Sequence, residues 1–185
     1  MITVDFSEKV FFLPWIGDNY YKNPRILFLG ESVYKKEGEK RTKNFAIKLI
    51  QNTINGNLHL SFFSKIESIF HNSNHYEKVQ KDQFDFKSEL FWNDVAFYEY
   101  IQEPLKGPRV RPSEKQWEQA KEPFLEVIKK LSPDIIITLG FDTYKNLPQM
   151  GQSCKSIKYN DIEMEIWKYK VNGHECFICK VMHPS

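Results

Sequence analysis

Three runs in the chain are apolar without alternation. They are 25–30 (Arg-Ile-Leu-Phe-Leu-Gly), 134–140 (Asp-Ile-Ile-Ile-Thr-Leu-Gly) and 176–182 (Cys-Phe-Ile-Cys-Lys-Val-Met). Continuous apolarity marks strands covered on both faces, as in a parallel sheet. The first two follow a proline and end on a glycine, where the chain must turn sharply. Helical spacing separates them. One helix is predicted over 44–53, with Phe45, Ile47, Leu49 and Ile50 apolar, and another over 60–70, carrying Phe62, Phe63, Ile66, Ile69 and Phe70. Ser113-Glu114-Lys115-Gln116 has the form of a capping box, so Ser113 is expected to start a helix. Trp117, Ala120, Phe124, Ile128 and Leu131 then give it an apolar stripe, with Pro123 predicting a kink or restart. Near the end, 164–171 alternates cleanly and Asn172-Gly173 follows, which is the strongest short-range hairpin signal. Interleaved helices and strands in 185 residues read as one α/β domain around a central, mostly parallel sheet.

Composition refines this picture. Hydrophobic residues make up 41% and charged residues 27% of the chain, which excludes wholesale disorder. The net charge of +2 is too small to mark a nucleic-acid binder by itself. Aromatic residues reach 15%, enough for a thick core and for surfaces on which flat ligands stack. The first residues carry Asp5 and no basic segment followed by an apolar run, and no stretch approaches the length of a membrane span. With only three cysteines, Cys154, Cys176 and Cys179, a reduced cytoplasmic protein off the membrane is expected. Cys176 and Cys179 have zinc-like spacing but would face opposite sides of a strand, and no second pair exists. His71 and His75 lie four apart, with an Asn-Ser-Asn interior that reads as a polar loop. No metal and no cofactor are expected.

Ligands of open α/β sheets bind at the carboxyl ends of the strands. That rule selects Gly30-Glu31-Ser32-Val33-Tyr34, Gly140-Phe141-Asp142 and His183-Pro184-Ser185. A fourth place is 91–95, where the amide of Asn93 interrupts an apolar stretch. Glu31 can orient or deprotonate a water, and Ser32 can hold the same water. Tyr34 offers a flat wall, and Asn93 carries the donors and acceptor that read an amide-like base edge. His183 can serve an oxygen that gains charge. Each signal alone has a plainer reading: a turn acid, a capping amide, an exposed terminal histidine. Their order along the chain is what combines them.

That order resembles the uracil-DNA glycosylase superfamily over about residues 25–185. A strand runs into Gly-Glu-Ser-Val-Tyr, then come Phe-Trp-Asn, Arg-Pro-Ser before a Trp-bearing helix, Pro-Asp-Ile-Ile-Ile-Thr-Leu-Gly, and a strand ending in His-Pro-Ser. The resemblance implies a three-layer α/β/α sandwich with a central, mostly parallel four-stranded sheet. It implies a monomer that binds a flipped uracil or deaminated base and hydrolyses its N-glycosidic bond in DNA repair. Glu31, Ser32 and His183 would be catalytic, with Ser32 standing where the best-known branch has its water-activating Asp. Tyr34, Phe45 and Asn93 would bind the base. Gly30, Pro184, Ser185 and Arg111 would contact DNA, helped by basic residues between Lys35 and Lys43. The partner is therefore uracil-containing or single-stranded DNA, or a free base or nucleotide. A second reading keeps the fold and drops the chemistry: a module that binds a base, nucleotide or single strand without cleaving it.

Overall fold

The computed structural model describes residues 1–22, 24–34, 42–70, 88–107 and 109–184. Among them, strands β1 (Trp15–Ile16), β2 (Ile26–Gly30), β3 (Val95–Glu99), β4 (Ile135–Leu139), β5 (Gln152–Tyr159), β6 (Ile162–Val171) and β7 (His174–Val181) form one mixed sheet in the order β1-β3-β2-β4-β7-β6-β5. Helices α1 (Phe45–Ile54), α2 (Ser61–Phe70), α3 (Ser88–Asp94), α4 (Glu114–Leu131) and α5 (Phe141–Lys145) complete the described elements.

The expected four-stranded, mostly parallel sheet within an α/β/α sandwich is corrected. The sheet has seven strands, and half of its pairings are antiparallel. β3, β2, β4 and β7 pair in parallel, while β1 on β3, β6 on β7 and β5 on β6 are antiparallel. The physical cause is that two hairpins extend the sheet past its apolar middle. One turns at Asn160, whose φ is 52°, and the other at Asn172-Gly173, with φ of 52° and 81°. Positive φ at both central residues gives a turn whose twist matches that of the flanking strands. β5 is polar and exposed over most of its length, so it carries no buried-strand pattern and has no covering layer.

Alternation splits the core. Leu27 and Leu29 of β2, with Ala96, Tyr98, Ile136 and Ile178, meet Trp117, Phe124, Val127, Ile128 and Leu131 of α4. Phe28, Val95, Phe97, Ile137 and Leu139 face the other way, onto Ala46, Ile47 and Ile50 of α1, Phe63 and Ile66 of α2, and Phe91 and Trp92 of α3. Cys176 belongs to the first cluster and Cys179 packs against the second, as strand spacing requires. All three cysteines are free thiols.

α4 starts on the predicted capping box: Ser113 Oγ accepts from the Gln116 amide at 3.3 Å, and Gln116 Oε1 accepts from the Ser113 amide at 2.9 Å. Pro123 does not divide the helix, which continues as one element from Glu114 to Leu131 with Pro123 buried. At the amino end of the sheet, Arg25 donates to both carboxylate oxygens of Asp134, at 3.1 and 2.8 Å, fastening the entry of β2 to that of β4. Among the described residues no helix is long and apolar enough to cross a membrane.

Candidate functional site at the carboxyl edge of the sheet

β2, β3, β4 and β7 run in parallel, so their carboxyl ends share one edge. Gly30 pairs in register with Glu99, and Leu139 with Val181. The chain leaves β2 through Glu31, whose carbonyl accepts from the Ile101 amide at 2.9 Å. It leaves β4 through Gly140, whose amide donates to Val181 at 3.0 Å and whose φ is 127°. β7 ends just before His183. The sheet topology alone therefore brings Glu31, Glu99, Asp142 and His183 to one side of the molecule.

Glu31 is partly buried. Burial raises its pKa, the Asp142 carboxylate adds to the rise, and the Arg111 guanidinium opposes it. Tyr34 is 38% exposed, and its phenol is pushed up by burial and by the charges of Glu31 and Glu99. Ser32 Oγ donates to the Glu103 carbonyl at 2.9 Å, so its hydroxyl proton ties the loop together. On the other side of the edge, His183 lies against Phe62 of α2 at 5.5 Å between ring centroids. Phe62 in turn stands 6.3 Å from Phe97 of β3, edge to face. A Cβ on Gly140 would lie 3.6 Å from His183 Cδ2, so the turn after β4 passes beside the imidazole. Burial, then the ammonium of Lys65, hold the His183 pKa below its ordinary value, which favours the neutral ring at pH 7.

Glu99 is the residue that pattern reading missed. It ends β3 at 6% exposure, and burial, with help from Glu31, pushes its carboxyl up to about 8. Gly30 makes room for it, since a Cβ there would sit 2.5 Å from Glu99 Oε2 and 3.1 Å from Phe97 Cζ. The available signal was a single acid inside the apolar run 95–101.

The sequence-derived candidates divide accordingly. Gly30, Glu31, Ser32, Tyr34 and His183 share the carboxyl edge, and Arg111 acts on Glu31 there. Phe45 opens α1 on the same edge: the Lys43 carbonyl accepts from Leu13, which continues β1 outward past the Trp15–Phe97 pair. Asn93 does not join them. It sits in the last turn of α3, before β3 begins, and its carbonyl accepts from the Asn19 amide at 2.8 Å. β3 separates it from the site by roughly 13 Å at about 3.3 Å per residue. Asn93 thus stands at the opposite end of β3 from Glu31. Gly30 is buried under Glu99, which gives it a packing role. Pro184 is buried too. Ser185, His71, His75 and the basic segment 35–41 lie outside the described residues. Among those described, no cluster of three or more His, Cys, Asp or Glu side chains could hold a metal ion.

No protein-family model and no curated protein matches the chain.

Proposed function

We propose that this carboxyl edge is a nucleobase site and that the protein is a DNA glycosylase-like hydrolase acting on uracil or a related deaminated base. The observation that carries the reading is the placement of Glu31 and His183 at the ends of parallel strands of one sheet, with Phe62, Phe97 and Tyr34 at the same edge. In this reading a base lies among the aromatic rings. Glu31 accepts a proton from a water that adds to the anomeric carbon, while the glycosidic electron pair leaves with the base. His183, as the neutral imidazole, donates a hydrogen bond to the base oxygen that gains charge. Ser32 shapes the loop that presents Glu31. Arg111, an exposed cation facing that loop, supplies a contact for a phosphate. Free thiols fit a reduced, cytoplasmic setting, and DNA, single-stranded or with the uracil flipped out, is the proposed partner.

One observation favours the non-cleaving alternative, a module that binds a base, nucleotide or single strand. Burial and the Asp142 carboxylate raise the Glu31 pKa, so the site disfavours the charged carboxylate with which a general base begins. The two readings separate on one assay, release of uracil from a uracil-containing single strand by the purified protein. Release lost in Glu31→Gln and in His183→Ala supports the enzyme. Binding of the strand without release supports the module.

A further inference from the structure

Glu99 is a buried acid whose charge nothing among the described residues answers. Its backbone carbonyl accepts from Gln102 Nε2 at 2.6 Å, yet among the described residues no donor reaches its carboxyl oxygens. The ionisable groups around it come from several elements. Glu31 and Tyr34 follow β2, and Tyr98 precedes it on β3. Asp142 of α5 and Arg111, ahead of α4, act on Glu31, while Lys65 of α2 acts on His183. Among the described residues no cation is paired with Glu99 directly. A carboxylate so placed is costly, and the group relieves the cost by keeping its proton.

A neutral carboxyl group presents an O–H donor and a C=O acceptor side by side in one plane. Its complement is an acceptor beside a donor, the C=O and N–H of a lactam edge, as on an oxo-pyrimidine or oxo-purine. Glu99 and Phe97 lie on the same face of β3, so the carboxyl sits next to an aromatic wall. We infer that Glu99, as a carboxylic acid, is the residue that reads the ligand, taking the lactam N–H/C=O edge of a nucleobase through two hydrogen bonds. This rests on the nucleobase reading of the site and assigns to Glu99 the recognition that the sequence had given to Asn93. Discrimination follows from chemistry: a base whose ring N–H is blocked leaves the Glu99 acceptor unsatisfied.

The test is NMR titration of the whole chain with free uracil and with 1,3-dimethyluracil, at about pH 6.5 and about pH 9. A carboxyl titrating at about 8 is about one-tenth protonated at the upper pH, so uracil affinity should fall about tenfold in the wild type. Glu99→Gln offers an amide donor and acceptor in nearly the same shape. It should bind uracil at both values and remove that fall, and any loss that remains in it measures ionisation of the uracil itself. 1,3-Dimethyluracil, which has no ring N–H left, should bind neither protein. Uracil binding that changes equally with pH in the wild type and Glu99→Gln, and that survives Glu99→Leu, overturns the assignment while leaving the nucleobase site standing. Absence of uracil binding to folded wild-type protein at both pH values overturns the site reading and the assignment together.

Discussion

Gly30 and Glu99 end neighbouring parallel strands as partners in register, and the Glu99 carboxyl occupies the space a side chain on Gly30 would need. Ala at position 30 would place its methyl 2.5 Å from Glu99 Oε2 and 3.1 Å from Phe97 Cζ. Phe97 is fully buried, so its ring is held in place, and the Glu99 carboxyl would have to turn off Gly30. Overpacking of this kind costs about 1–3 kcal/mol. Gly30→Ala should lower unfolding stability by that amount in urea denaturation and weaken any ligand at the carboxyl edge more than it weakens the fold. Unchanged stability would show that Glu99 rearranges freely.

Glu99 also makes a pH-dependent contribution to stability. Its carboxyl keeps its proton in the fold up to about pH 8, whereas its ordinary value is 4.5. Folding therefore takes up a proton between those values, and stability falls as pH rises through that window, by at most about 1.4 kcal/mol per pH unit. Glu99→Gln removes this slope. The stability of the variant relative to wild type should rise steadily from about pH 5 to about pH 8 in paired urea titrations. A constant difference would mean that Glu99 is already ionised in the fold.

His183 is an exposed residue whose imidazole is partly desolvated, and that desolvation and the Lys65 ammonium lower its pKa. Its imidazole should titrate below the ordinary histidine value when followed by the ring proton resonances. Lys65→Met removes the second of these causes and should move the titration upward while leaving the burial contribution in place. If the titration moves downward, Lys65 is not the neighbouring charge that matters.

The α4 cap gives a check on the fold that is independent of the site. Ser113→Ala strips the hydroxyl that accepts from the Gln116 amide, a loss typically worth about 1 kcal/mol. Thermal unfolding should show a lower midpoint with unchanged ligand binding. An unchanged midpoint would mean that the cap contributes nothing to α4.

The sequence made legible those elements whose local pattern and tertiary role agree. β2 and β4 are apolar because both faces are covered, and α4 announces itself through Ser113 and its stripe. The last hairpin depends on Asn172-Gly173, whose positive φ few other residue pairs would accept. β3 was not legible because α3 runs directly into it: Phe91 and Trp92 are helical, Asn93 and Asp94 still belong to the helix, and Val95 is already strand. Asn93 therefore lies at the amino end of β3 and Glu99 at its carboxyl end. β5 was lost for the opposite reason, since an exposed strand held by hydrogen bonds to β6 needs no apolar pattern at all. The Gly30–Tyr34 and His183 segments could be placed because each follows a recognised strand. Their mutual placement depended on the parallel order β3-β2-β4-β7, which local pattern does not encode.

The most direct test of the central claim is single-turnover release of uracil from a uracil-containing single-stranded oligonucleotide by excess protein, scored as abasic sites. The wild type should release uracil, and the rate should fall about 100-fold or more both in Glu31→Gln and in His183→Ala, with both variants folded as judged by circular dichroism. Absence of abasic product at high protein concentration, or product formed equally by both variants, would contradict it.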